Sequence, residues 1–492
     1  MSQRNIVVVL CIFALAIFLR FYRLPEFVTF LSDQGRDAIV IKRIVTLIHL
    51  PAIGASSSVG QVYLGPFYYY LIAPFLLFFN FNPVGLAFGV ALLSIVGIFL
   101  SYLIIKRELD AKTAFLFLIL IAFSSVNIEV SRFSWNPNLL PFFSFLTLYF
   151  FYKLIDSDNL KSNKLIYAIL FGSFFSFSLQ LHYLAALLIL PILLFSILHF
   201  LKSKKNQLVS QLLNFLVSFL SFFFFIFPLF IFDFRHNFLN IKNFIKLFTE
   251  QGVLSKVSLS SRFSETIQSF FSHFMSNQIA LPIAFFLFFS FGLIYVLFLK
   301  KRISLFLNIH FVNVFSYLVG FSFLASARHP HYFHTMYLSF FLVLAYLLTI
   351  LITKSKSKLA LAVVIVFFAT YIGLNLKTSY AFYTYPSNQI KHAQTVADFL
   401  AEKIGNKPFN IATWPVEFFE DQYLYFLELK ELIPADRSKL QITNQMFVLC
   451  NKEPCQVINS PSWNISMFGK AKVDTIWTVE GIKIYKLTHT IQ

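Results

Sequence analysis

VGLAFGVALLSIVGIFLSYLII, residues 84–105, carries no charged side chain over its whole length and is followed at once by Lys106-Arg107. At 1.5 Å per residue, a helix of that length reaches about 33 Å, enough to cross the roughly 30 Å hydrocarbon layer of a bilayer. Lipid offers the backbone no hydrogen-bond partner, so an uncharged stretch this long reads as a spanning helix that satisfies itself. Outward from it, comparable apolar runs lie at about 5–22, 113–128, 138–155, 165–181, 183–201, 208–232, 280–299, 303–326, 332–352 and 359–375. The sequence therefore predicts an all-α polytopic membrane protein with about eleven spanning helices.

Composition agrees. Hydrophobic residues make up 58% of the chain and charged ones 13%, against roughly 25% charged in soluble domains. The net charge of +18 is not a nucleic-acid footprint, because the basic residues fall in short clusters between apolar runs. Those clusters are Lys106-Arg107; Lys161 and Lys164; Lys202, Lys204 and Lys205; Lys300-Lys301-Arg302; and Lys354, Lys356 and Lys358. Clustered Lys and Arg resist translocation, so these loops and the N-terminus are expected to be cytoplasmic. No cleavable signal is expected either, since Ile6 to Phe18 runs into Arg20-Phe21-Tyr22-Arg23 without a small-residue cleavage site.

One more apolar run, Pro66 to Phe81, would break the alternation if it crossed. Its interior Pro74 and its Tyr68-Tyr69-Tyr70 belt suit a re-entrant or interfacial helix. The extracytoplasmic face then receives 23–83, 129–137, 233–279, 327–331 and everything after 376. The tail changes character, holding 11 of the 22 acidic residues, with helix-like and strand-like periods such as His392 to Ile404 and Thr475 to Leu487. Residues 1–375 thus form the membrane body, with outer loop and interfacial helices at 23–83, and 376–492 a small α/β or α+β domain. Cys450 and Cys455 on that side are expected to close a short disulfide loop, while Cys11 lies in the first apolar run. No internal repeat is evident, which disfavours transporters built from duplicated halves.

Candidate chemistry collects at one face. The acidic residues expected there outside the tail are Glu26, Asp33, Asp37, Glu129, Asp233, Glu250 and Glu265. Asp33 and Asp37 lie in Ser32-Asp33-Gln34-Gly35-Arg36-Asp37, just past the first span. The bland reading makes Asp33 the cap of a helix from Gly35 to Leu50, with Asp37 in its first turn. The functional reading notes that Glu129, Arg132, His182, Tyr183, Arg235, His236, Arg328, His329, His331 and His334 fall at span ends of the same face. Each has its own bland alternative. Glu129 and Arg132 can neutralise one another at i, i+3, His182-Tyr183 can be an interfacial anchor, and Arg328-His329-Pro330-His331 a solvated turn. Asn464-Ile465-Ser466 fits a glycosylation sequon on an outward domain.

In order and topology, several segments resemble the GT-C superfamily of polyprenyl-phosphate-sugar-dependent glycosyltransferases. The likeness is strongest to bacterial members related to the aminoarabinose transferase of lipid A and to protein O-mannosyltransferases. The segments are Phe30-Leu31-Ser32-Asp33-Gln34-Gly35-Arg36-Asp37-Ala38, Gly65-Pro66-Phe67-Tyr68-Tyr69-Tyr70-Leu71, Glu129-Val130-Ser131-Arg132-Phe133 entering Asn136-Pro137-Asn138-Leu139, Leu181-His182-Tyr183-Leu184-Ala185, and the arginine turn Arg328 to Tyr332. The resemblance implies transfer of a hexosyl or pentosyl unit from a polyprenyl-phosphate-linked sugar to a lipid, glycan or protein acceptor at the membrane. It implies that Asp33 acts in catalysis, with Asp37 and Glu129 as further catalytic candidates. It also implies that His182 holds the lipid phosphate; Arg36, Arg132, Tyr183, Arg235, Arg328 and His331 are the other binding candidates. The chain departs from the pattern at Asn136 and Asn138, where relatives commonly carry a second acidic residue. A divalent metal ion is therefore the cofactor class left open, with no ligand set identified.

The chemistry of the residues agrees with that implication. Direct displacement at a sugar's anomeric carbon needs one carboxylate to activate the acceptor hydroxyl, and a phosphate leaving group needs no acid. A lipid or polysaccharide transporter is the competing class. Transporters place ionisable or broken positions near mid-membrane, whereas here polarity gathers at one face.

Overall fold

The computed structural model describes residues 3–57, 61–156, 163–254, 258–274, 289–290, 303–323, 328–355 and 357–490. Its membrane body is built from α1 (Gln3–Phe21), α2 (Leu24–Phe27), α3 (Ser32–Val45), α4 (Phe67–Phe78), α5 (Val84–Glu108), α6 (Ala111–Phe123), α7 (Ser125–Val130), α8 (Leu140–Ile155), α9 (Lys164–Leu181), α10 (Ile189–Lys202), α11 (Lys205–Arg235), α12 (Leu239–Leu254), α13 (Leu259–Phe274), α14 (Leu305–Ser322), α15 (His334–Ser355) and α16 (Lys358–Lys377). Among the described residues, eight helical stretches are long and apolar enough to cross a membrane: Val84–Glu108, Asn136–Ile155, Lys164–Leu181, Tyr183–Lys202, Lys205–Arg235, Leu305–Ser322, Pro330–Thr353 and Lys358–Lys377. Two further expected spans are shorter apolar helices, Asn5–Phe21 and Ala111–Phe123. The run at 280–299 lies outside the described residues except for 289–290.

The helix ends follow from local chemistry. Asp110 caps α6 by accepting from Lys112 N and Thr113 N at 2.8 and 2.9 Å. Ser124 breaks that helix with an extended backbone and restarts it as α7. Glu108 at the end of α5 meets Lys153 at 3.1 Å, and Lys164 Nζ donates to the carbonyls of Lys153 and Leu154 at the end of α8. Ions paired this way mark one end of the bundle. At the opposite end stand α3, α4, the junctions 130–139 and 181–188, and the turn before α15.

The interfacial expectation falls on α4. Twelve residues reach about 18 Å, short of the hydrocarbon thickness. Its two ends are tied to the same end of the bundle: Phe67 N donates to Gln180 Oε1, and the carbonyl of Phe81, just past it, accepts from Tyr425 Oη. The tyrosine belt is corrected, however. Tyr68 and Tyr69 are 2% and 4% exposed and only Tyr70, at 40%, faces outward. Their hydroxyls find protein partners, which releases the rings from the interface.

After α16 the chain forms α17 (Gln389–Ile404), β1 (Asn410–Trp414), α18 (Asp421–Leu429), β2 (Gln445–Cys450), α19 (Trp463–Ser466), β3 (Ala471–Val479) and β4 (Ile482–His489). The sheet order is β1-β2-β4-β3, with β1 and β2 parallel and the other pairs antiparallel. Cys450, the last residue of β2, is joined to Cys455. The core does not stop at the membrane body. Ile41, Tyr69, Ile72 and Leu86 belong to one buried apolar cluster with Ile390, Ala397, Tyr425 and Phe426. Helix α18 therefore rests on α3 and reaches the turn after α4 through Tyr425, while α17 meets α2, which positions the site.

Candidate active site

Helix α3 begins at Ser32, three residues before the expected Gly35, and ends at Val45 rather than near Leu50. No side chain caps it; instead Gln34 Oε1 accepts from Leu31 N at 3.1 Å. Asp33 is thus inside the first turn and not the cap, which corrects the bland reading of that residue. Asp33, Arg36 and Asp37 stand at i, i+3 and i+4 and share one face. Arg36 links them: its Nη1 is 2.9 Å from Asp33 Oδ1, and its Nη2 and Nε are 2.8 and 3.0 Å from Asp37 Oδ1.

The two carboxylates differ in what surrounds them. The Asp33 side chain is 48% exposed, that of Asp37 fully buried. Tyr69 Oη also donates to Asp37 Oδ1 at 3.0 Å, while Asp37 Oδ2 is buried without a partner. Burial raises the Asp37 pKa above the usual range, opposed by the guanidinium of Arg36. Asp33 is the solvent-reachable carboxylate of the two, and Asp37 the one bonded to both Arg36 and Tyr69.

Tyr68, one residue before Tyr69, reaches the other way and shares a 2.7 Å hydrogen bond with Ser134 Oγ. There a second cluster begins. The ring of His331 lies 4.6 Å from Trp135, 5.8 Å from His182 and 4.4 Å from Tyr332, and the ring of Tyr183 lies 4.6 Å from His182. His182 Nδ1 accepts from Leu184 N at 3.2 Å. Burial, with His334 nearby, pulls His182 down to about 3, so its ring is neutral and offers a hydrogen bond rather than a charge.

The remaining expected residues lie elsewhere. Arg132 is buried and donates to the carbonyls of Leu19, Arg20 and Tyr22 at 3.0, 3.1 and 2.8 Å, closing the C-terminal end of α1. It forms no ion pair with Glu129, which corrects the expected neutralising pair. Glu129 faces Tyr380 and Ser379 in a small hollow, and burial raises its pKa. Arg328 donates from Nε to Thr266 Oγ1 at 2.9 Å and lies 4.8 Å over Phe321. Arg235 and His236 are exposed at the end of α11, where Asp233 accepts from Asn240 N at 2.6 Å. Glu26 pairs with Arg23 at 2.6 Å. The Glu250 side chain lies outside the described residues.

Asn136 Nδ2 donates to Leu181 O at 2.7 Å and Asn138 Nδ2 to Phe133 O at 2.9 Å. A carboxylate at either position could not donate these bonds, and among the described residues no three His, Cys, Asp or Glu side chains converge as metal ligands. The residues present do not fit a metal centre, so no step is assigned to one. Sequence reasoning missed the site roles of Tyr68, Tyr69, Trp135 and Ser134. The Tyr-Tyr-Tyr run was the available signal, but helix periodicity cannot say which tyrosine turns inward.

Residues 64–230, the stretch that includes α4, the 130–139 junction and His182, match the model of the dolichyl-phosphate-mannose-protein mannosyltransferase family. The whole chain shares its fold with ArnT from Cupriavidus metallidurans, solved bound to undecaprenyl phosphate, with a TM-score of 0.66 and 12% identity over 99% of this chain and 98% of that one. The oligosaccharyltransferase AglB from Archaeoglobus fulgidus, solved with an inhibitory peptide and a dolichol-phosphate, is similar at a TM-score of 0.50 and 15% identity, covering 92% of this chain and 69% of that one. No curated protein sequence matches the chain.

Proposed function

We propose that the protein transfers a sugar from a polyprenyl-phosphate donor to an acceptor hydroxyl, with Asp33 as general base. The observation that carries this reading is the half-exposed Asp33 carboxylate held by Arg36, beside a buried Asp37 that fixes the same guanidinium. Asp33 takes the proton of the acceptor hydroxyl as its oxygen bonds to the anomeric carbon. The bond from that carbon to the phosphate oxygen breaks, and polyprenyl phosphate leaves with the electron pair. Neutral His182, with Tyr183 and His331 beside it, supplies hydrogen bonds to the lipid phosphate at the bundle end. The undecaprenyl phosphate and dolichol-phosphate bound by the two fold relatives support a donor of this class.

In this reading, residues 1–375 are the transferase body and 376–492 an extracytoplasmic domain resting on it. The basic clusters at the far end, Lys106-Arg107 and Lys202 with Lys204 and Lys205, support a cytoplasmic N-terminus. The test follows sugar transfer from a polyprenyl-phosphate sugar pool to total membrane acceptors in Asp33→Asn and Asp37→Asn. Loss in the first with partial retention in the second is expected. Full activity in Asp33→Asn with loss in Asp37→Asn would name the wrong carboxylate, and full activity in both would remove the single-base mechanism.

A further inference from the structure

At the end of the bundle opposite the candidate site, α1, α6 and α15 line a cavity of about 440 Å³, within the size range of small-molecule sites. Its walls are Val8, Val9, Phe115, Leu116 and Ile352. Val8 is 41% exposed, so the cavity is open along α1. Thr349 adds little polarity, because its Oγ1 donates to Ala345 O at 2.8 Å and accepts from Thr113 Oγ1 at 3.2 Å. The remaining polar lining is Asn5 and Lys112, both exposed and each in the first turn of its helix. Val8 and Val9 follow Asn5 by about one turn, and Phe115 and Leu116 follow Lys112 by the same distance. The cavity is therefore polar at headgroup depth and apolar where the hydrocarbon begins.

The bland reading is a gap in packing. An apolar hollow that faces hydrocarbon holds no water and takes whatever bilayer chain is nearest. The charge at its mouth goes further. Of the two acids at this end, Glu108 is taken by Lys153 at 3.1 Å, with Arg107 at 3.8 Å. Asp110 is spent on its own helix: Oδ1 accepts from Lys112 N and Thr113 N, and Oδ2 from Thr113 Oγ1 at 2.7 Å. Lys112 thus forms no ion pair among the described residues, and its ammonium is left to meet an anion held in the cavity it lines.

We propose that this cavity binds one anionic phospholipid of the adjoining leaflet, with an acyl chain between α1, α6 and α15 and the phosphate on the Lys112 ammonium. The Asn5 amide donates a second hydrogen bond to the same phosphate. This site needs only that the bundle spans a bilayer and does not rest on the transferase reading. The bound lipid fastens the first turns of α1, where Ile6, Val7 and Leu10 are largely exposed, to α6 and α15. It therefore stabilises the folded bundle by mass action.

The experiment uses full-length protein purified in detergent, stripped of lipid and titrated with palmitoyl-oleoyl phosphatidylglycerol or phosphatidylcholine. Native mass spectrometry counts the lipids retained. The wild type should hold one phosphatidylglycerol about ten-fold more tightly than phosphatidylcholine. Lys112→Ala should reduce that preference to about two-fold or less, while Lys112→Arg keeps it, as does Lys106→Ala, which removes a charge at the same end but outside the cavity. Val8→Trp fills the hollow from its open side and should weaken both lipids. Phosphatidylglycerol should also raise the unfolding midpoint of the wild type and not that of Lys112→Ala. A preference retained in Lys112→Ala overturns the proposal, as does binding of both lipids undiminished by Val8→Trp; should Val8→Trp fail to fold, Lys112→Ala against Lys112→Arg decides alone. Displacement of phosphatidylglycerol by an equal concentration of undecaprenyl phosphate overturns it as well, because the cavity would then belong to the donor lipid.

Discussion

The first turn of α3 and the junction around His182 flank the first turn of α4, yet they are made of opposite materials. On one side Asp33, Asp37 and Arg36 are charged groups that need one another, and Asp33 remains half-exposed. On the other, His182, His331, Tyr183, Tyr332 and Trp135 are rings packed mostly edge to face, and His182 is held neutral by burial. In the proposed transfer, the difference divides the labour of a displacement. A proton acceptor belongs where a carboxylate is reachable, and a phosphate already carrying its charge can be met by neutral donors in a drier place. Two adjacent tyrosines on α4 join the halves, Tyr69 bonded to Asp37 and Tyr68 to Ser134.

The largest effect that would break this comparison is expected at the acidic side. Asp33→Asn should lower sugar transfer by about two to four orders of magnitude without changing membrane insertion, measured as labelled product per amount of inserted protein. A smaller effect should come from the contact that seats the C-terminal domain. Gly35→Ala places a methyl against the backbone of Gln422 and should cost about 1–3 kcal/mol, read as a lower unfolding midpoint in detergent.

The ring side should respond differently. His182→Ala should raise the donor KM by about ten-fold, with the unfolding midpoint little changed. Arg328→Ala makes the contrast, because that guanidinium is spent on Thr266 and on the face of Phe321. Its loss should lower the midpoint more than it raises the donor KM. The effect of pH separates the sides further. Burial, aided by the neighbouring Glu420 and opposed by Arg36 and Ser32 of α3, pushes Asp421 up from its ordinary value to about 6. Its carboxylate is therefore ionised above that pH and protonated below it, so the stability lost to its burial at pH 7 is regained as pH falls from about 6 toward 4, read as a rise in the unfolding midpoint that Asp421→Asn removes. The smallest effect is expected at Arg235→Ala, exposed at the end of α11, with stability changed by no more than about 0.5 kcal/mol.

How much of this was legible in the sequence depended on the range of the interactions. Span positions depend on local apolarity, so the runs at 84–105 and 183–201 coincide with helices of matching extent. The helix Phe67–Phe78 was legible for the same reason, as an apolar run of matching extent that carries Pro74 inside it. The start of α3 was not, since Gln34 reaching back to Leu31 N replaces the side-chain cap that Asp33 would have supplied. Arg132 beside Glu129 suggested a local pair, but its acceptors are carbonyls more than a hundred positions away, at the end of α1. Asp421 lay hidden for the same reason, because only the docking of α18 on Gly35 brings it to Ser32.

The central claim is that Asp33 removes the acceptor proton in a displacement from a lipid phosphate. It is tested most directly by separating donor binding from donor turnover in Asp33→Asn. Purified protein in lipid vesicles would be given a photoreactive polyprenyl-phosphate sugar, and both crosslinking and release of polyprenyl phosphate followed. The account predicts crosslinking at the wild-type level with release reduced at least about one hundred-fold. Release at the wild-type rate in Asp33→Asn would contradict it.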